Sequence, residues 1–190
     1  MKFSYLNDKN WASITRDERF FCAHLFFEIK NNAGPFLNFL FEKNIILKED
    51  TNPVSWEVSF EVCFFRDYIF EVGEKNGNKS IKKSNFSQKR TFDLCLFSEK
   101  SMIIIEAKSY TGFNTIQLKS FEEDKANIKS MLGDNCPSIF SIALVPELYN
   151  HKPESLIGFD CKLTWKEMYD LYKNDVILRA NRAGMIVKDE

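Results

Sequence analysis

Thr91-Phe92-Asp93-Leu94-Cys95-Leu96-Phe97-Ser98-Glu99-Lys100-Ser101-Met102-Ile103-Ile104-Ile105-Glu106-Ala107-Lys108 is the stretch whose reading decides the fold. Two runs rich in Phe, Leu, Ile and Met flank a polar turn at Ser98 to Ser101, the pattern of a β-hairpin. In a symmetric hairpin, residues whose numbers add to the same total as Glu99 and Lys100 stand opposite one another, and Asp93 and Glu106 satisfy that sum. Their Cβ atoms then lie about 4.5–5.5 Å apart, where like charges destabilise a sheet unless something neutralises them. Lys108 follows Glu106 by two residues and so shares its face. Ile103-Ile104-Ile105 is apolar on both faces, which suits an interior strand. Two carboxylates and an ammonium therefore converge at one end of an apolar hairpin. A hard divalent cation such as Mg²⁺, which favours carboxylate oxygen and keeps several waters, is the natural neutraliser.

Working outward, 190 residues make one domain with enough chain to bury a core, and 19 Phe exclude a disordered chain. The net charge of −1 announces no nucleic-acid partner by itself. Positive charge is nevertheless concentrated: Lys75, Lys79, Lys82, Lys83, Lys89 and Arg90 occur with no acidic residue between them. Gly, Asn and Ser between them indicate a mobile loop entering the Asp93 strand. Such a loop either grips phosphates, with Lys79, Lys82, Lys83, Lys89 and Arg90 as the candidate nucleic-acid contacts, or is a solvated connector. Five scattered cysteines without a CxxC pair indicate reduced thiols rather than a disulfide frame or zinc site. No signal peptide or membrane-spanning run is visible, so the expected setting is cytoplasmic.

Thr15-Arg16-Asp17-Glu18 reads as a capping box for a helix from Arg19 to Lys30, broken at Asn31-Asn32-Ala33-Gly34-Pro35 and followed by a short helix over Phe36–Asn44. Val54–Phe64 reads as a strand, although Trp56, Phe60 and Phe64 also recur at helical spacing. Tyr68–Val72 continues that strand or forms another. A helix from Thr115 to about Leu132, stopped by Gly133, precedes a buried strand at Ser138–Val145. Thr164 caps a helix to Lys173, and the tail from Val176 adds a strand or extension at Gly184–Val187. The expectation is an α/β sandwich with a mixed β-sheet flanked by helices, core order αβββαβ over about 15–146 and a C-terminal extension over 147–190.

Asp93 on one strand and Glu106-Ala107-Lys108 on the next, in that order of elements, resemble the PD-(D/E)XK nuclease superfamily, the restriction-endonuclease-like fold. The resemblance implies metal-dependent phosphodiester hydrolysis, with DNA as the expected substrate. It implies Asp93 and Glu106 as metal ligands for Mg²⁺ or Mn²⁺, helped by the Ala107 carbonyl. Lys108 then orients the attacking water, and Gln117 in the following helix positions Lys108 or the phosphate. The family often adds a glutamate from its first helix. Glu18 matches it, shares a face with Phe21, Cys22, Leu25 and Ile29, and is also explained as a cap glutamate. Glu61 is the competing candidate and Glu57 a weaker one. Phe92 stands where the motif has proline, and Glu-Ala-Lys replaces the Asp-Tyr-Lys of RecB-like members.

Other chemistries find less support. His24 and His151 are the only histidines. Neither stands beside a nucleophile or in metal-ligand spacing, and His24 sits within an apolar helix. No Walker loop or GxGxxG is present. Trp165, Tyr169 and Tyr172 lie at helical spacing and read as core. The rival to catalysis is a binding module for nucleic acid or protein on the same fold, and a third reading is a metal enzyme acting on a small phosphate ester. Cutting both strands of a duplex takes two sites, which leaves a homodimer as an option.

Overall fold

The structure, a computed structural model, describes residues 4–68, 70–71, 90–113, 115–149 and 156–183. Five strands form one mixed sheet: β1 Glu57–Val62, β2 Phe92–Phe97, β3 Ser101–Ala107, β4 Ser138–Val145 and β5 Cys161–Thr164. The spatial order follows the chain order, so β3 is the central strand. The pairs β1–β2 and β2–β3 are antiparallel, whereas β3–β4 and β4–β5 are parallel. Six helices accompany them: α1 Trp11–Ile14, α2 Glu18–Asn31, α3 Gly34–Glu42, α4 Thr115–Leu132, α5 Trp165–Tyr172 and α6 Asp175–Ala183.

The hairpin holds the register expected of it. Leu94 faces Ile105, Cys95 faces Ile104, Leu96 faces Ile103 and Phe97 faces Met102. Ser98 N donates to Ser101 O at 2.8 Å, and Ser101 N donates to Ser98 Oγ at 3.0 Å, which pins the turn. Every residue of β3 is buried. Ile103 and Ile105 pack with Leu94, Leu96, Ile142 and Leu144 against α2, α3, α5 and α6. Ile104 and Met102 pack on the other face with Cys95, Ala143, Val145 and Ile128 of α4. Each such aliphatic side chain contributes about 1.5–3 kcal/mol by leaving water. Two apolar layers thus clamp the sheet, and within β2 and β3 charge stands only near one end, at Asp93 and Glu106.

Several boundaries differ from expectation. Thr15 does not cap α2; it closes α1 with its N–H on Trp11 O, and Asp17 caps α2 by accepting from Arg19 N at 2.9 Å. Glu18 is therefore the first helical residue rather than the partner of a capping box. Pro53–Ser55 is a 3₁₀ turn, so β1 begins only at Glu57. Within the expected strand Tyr68–Val72, the described residues Tyr68, Phe70 and Glu71 are helical: Asp67, Tyr68 and Glu71 each donate to the carbonyl four residues back. The C-terminal extension adds β5 to the sheet edge. Thr164 and Glu167 complete a capping box at α5, and the tail from Val176 begins within a helix, α6, that the sequence reading did not assign. Gly184–Val187, His151 and the basic stretch with Lys75, Lys79, Lys82, Lys83 and Lys89 lie outside the described residues.

All five cysteines are free thiols. Trp165 is fully buried, as its helical spacing suggested. His24 is half-buried against the Phe20 ring, 4.8 Å between centroids. Among the described residues no helix is long and apolar enough to cross a membrane.

Candidate active site

One step beyond the last paired residues of the β2–β3 ladder, Asp93 and Glu106 come opposite each other. They open into a cavity of about 320 Å³ lined by Glu18, Glu61, Asp93, Glu106, Arg19 and Tyr110 among others. Carboxylates from α2, β1, β2 and β3 line it, together with Asp17 at the N-cap of α2. Asp93 Oδ2 accepts from Ala107 N at 2.8 Å, which locks the first acid onto the strand carrying the second. Glu18 accepts from Lys108 Nζ at 3.2 Å and, through its other oxygen, from Ser109 N at 2.9 Å. Glu61 stands 3.4 Å from Arg19 Nε.

Both candidates for the extra acid thus reach the same cavity. Glu61 does so by leaving the β1–β2 ladder: its neighbours Phe60 and Val62 pair with Leu94 and Phe92, while Glu61 itself takes φ 54°. A left-handed residue without a glycine costs about 1–2 kcal/mol. Glu57 sits at the far end of β1, exposed and opposite Phe97.

Lys108 is buried just past the end of β3, where Lys108 N donates to Leu144 O at 2.8 Å and Trp165 Nε1 donates to Lys108 O at 2.9 Å. Its ammonium does not line the cavity; it lies on Glu18, 5.4 Å from the Phe113 ring centroid. Gln117 falls in the first turn of α4, with its side chain outside the described set. Arg90, read from sequence as a phosphate contact, turns inward. Its Nε donates to Asp124 Oδ2 at 2.8 Å, and its Nη1 stands 3.5 Å from Glu106 Oε1. Asp124 of α4 was not singled out in the sequence. Its only signal is an acid at helical spacing from Ile128, inside what reads as an apolar stripe.

Burial dominates the electrostatics. It pushes the Glu106 carboxyl up to about 8, with Asp93 adding to the rise and Arg90 and Lys108 opposing it. Burial likewise lifts Asp93 to about 6, against the Ala107 N–H bond and Lys108, with Glu18 and Glu61 adding to the rise. Glu106 Oε2 is buried and has no hydrogen-bond partner among the described residues. An unpaired buried carboxylate oxygen is expensive, which makes it a place for a cation.

The donor set is entirely oxygen, as a hard cation requires. Among the described residues, no three acidic, His or Cys side chains converge as a ready metal-holding group. Mg²⁺ asks less than that: one or two carboxylates, water and substrate phosphate suffice. Asp93, Glu106 and the Ala107 carbonyl therefore fit it. Comparison with known proteins finds no matching family model, no matching curated protein and no matching solved structure.

Proposed function

We propose that the chain is a metal-dependent nuclease of the PD-(D/E)XK kind, hydrolysing phosphodiester bonds, with DNA the first substrate to test. The observation that carries this reading is the pairing of Asp93 and Glu106 across a hairpin. Both carboxyls are raised by burial, and Glu106 Oε2 is left without a partner among the described residues. Groups perturbed in this way by burial plus a like charge collect at functional sites.

Asp93, Glu106 and the Ala107 carbonyl would hold Mg²⁺ or Mn²⁺. When bound, the ion acidifies water and stabilises charge on the phosphate. The chain supplies the rest. The Ala107 N–H fixes the rotamer of Asp93. Lys108 acts on both acids electrostatically, and an anionic substrate gives its ammonium a second anion besides Glu18 to pair with and a water to orient. Arg16, exposed and 3.8 Å above the Tyr110 ring, and Arg19, exposed at the same mouth, offer positive charge to a phosphate backbone.

A specific observation favours a second reading, a nucleic-acid- or protein-binding module without catalysis. Glu18, Glu61 and Glu106 each already face a cation of the chain itself, Lys108, Arg19 and Arg90. The test is cleavage of supercoiled plasmid and single-stranded DNA with Mg²⁺ or Mn²⁺, beside Lys108→Ala. Cleavage lost in that variant supports the nuclease. Equal cleavage by the variant, or none by a folded wild type that Mn²⁺ does not stabilise, turns the assignment to the binding module.

A further inference from the structure

Arg90 is wedged between two carboxylates from elements far apart in the chain, Glu106 on β3 and Asp124 on α4. All three side chains are largely buried, with 15%, 7% and 9% exposure for Arg90, Glu106 and Asp124. The guanidinium carbon also lies 5.0 Å from the Phe92 ring centroid, so an apolar wall limits its movement. The arrangement is asymmetric. A guanidinium can take both oxygens of one carboxylate through two parallel N–H groups. Here the short bond, 2.8 Å, goes to Asp124, while Glu106 receives one long contact, 3.5 Å, at Oε1. Glu106 Oε2 is the atom left without a partner among the described residues, and Glu106 lines the cavity.

We propose that Asp124 is a positioning residue: it holds Arg90 away from Glu106 so that one oxygen of Glu106 stays open to a divalent cation. This inference rests on the metal reading above. Asp93, Lys108, Arg90 and Asp124 are the charged groups that act on Glu106. Lys108 is committed to Glu18 and Asp93 repels, so among the described residues Arg90 is the cation in contact with Glu106. With the charge of Asp124 removed, the fork loses its shorter bond. Released from that bond, the guanidinium can turn onto Glu106 and cover its second oxygen. An incoming ion must displace it.

The probe is Mn²⁺ alone, titrated calorimetrically into the full chain, with thermal unfolding to establish that each variant is folded. Asp124→Asn is expected to weaken Mn²⁺ binding about tenfold, the usual loss when a group orienting a ligand is removed. Adding Arg90→Gln to that variant is expected to recover the affinity, because no guanidinium remains to be held back. A merely structural ion pair predicts no such rescue. Asp124→Asn binding Mn²⁺ as tightly as wild type, or a double variant no better than the single one, overturns the positioning role and leaves the metal reading standing. A wild type that binds no Mn²⁺ overturns both. Should Asp124→Asn not fold, Arg90→Gln alone decides: affinity at or above wild type supports the inference, and a loss overturns it.

Discussion

Two places in the same sheet hold carboxylates, and they are treated in opposite ways. Asp160, just before β5, has its needs met: Oδ2 accepts from Ser141 N at 2.6 Å, Ser141 Oγ at 3.0 Å and Lys125 Nζ at 2.5 Å. Those donors hold its carboxyl below the ordinary aspartate range despite burial. Glu167 is similar, held low by Lys43 and the Thr164 N–H. On β2 and β3, Asp93 and Glu106 are more deeply buried, less well supplied with donors, and raised. Asp160 and Glu167 tie elements together: one joins β4 to α4, the other starts α5. The Ala107 N–H and Arg90 only partly offset the burial of Asp93 and Glu106, so their placement asks for something added from outside.

The largest expected effect breaks the cleft and spares the anchors. Lys108→Ala or Asp93→Ala should lower metal-dependent cleavage about a thousandfold, measured on plasmid, while circular dichroism stays native. Retained activity in either variant removes that residue from the proposed chemistry. Next in size, Mn²⁺ at about 100 times its Kd should add about 2.7 kcal/mol to wild-type stability, read as a Tm rise of roughly 5–10 °C. Chelation should reverse it, and Glu106→Gln should abolish it.

The third sharpens the contrast through pH. Asp93 and Glu106 have folded pKa values above their unfolded ones, so the metal-free native state binds more protons than the unfolded chain between about pH 4 and pH 8. Metal-free stability should therefore fall as pH rises through that window, measured as urea midpoints at pH 5 and pH 8. Glu106→Gln should flatten the slope, and a midpoint that climbs with pH contradicts it. Asp160 and Glu167, being depressed, stabilise above the ordinary carboxylate range and lose that contribution only below about pH 4. The smallest effect is on the anchor side. Asp160→Asn should cost about 1 kcal/mol, since the Lys125 pair is partly exposed and screened, with cleavage unchanged. A drop in cleavage there would blur the distinction between the two places.

The hairpin was legible because its register follows from a single turn and two apolar runs. Local symmetry at Ser98–Ser101 places Asp93 against Glu106 without knowledge of the rest of the chain. The interior position of β3 was equally legible from Ile103-Ile104-Ile105. What was hidden depended on distance. Arg90 looked like the end of a basic loop because its partner Asp124 is 34 residues away on α4. Glu18 was open to a second reading as a cap glutamate because Thr15-Arg16-Asp17-Glu18 fits two helix starts, and only the preceding α1 decides between them. Glu61 could not be separated from Glu18 because its left-handed backbone has no signature in a run of strand formers. β5 is four residues long, too short for any period to register, and the span of α6 was given no element of its own in a tail whose strand or extension was expected at Gly184–Val187.

Trp165 and Arg179 fasten the cleft from behind, the first through the Lys108 carbonyl and the second through the carbonyls of Ala12 and Thr15 ahead of Glu18. A chain is made from its N-terminus at about 5–20 residues per second. The hairpin bearing Asp93 and Glu106 can form well before Trp165 and Arg179 have been added. During synthesis the acids are thus in register before the lysine strand-end and the first helix are fixed against them. The cleft is completed last, seconds after the hairpin that carries its two acids.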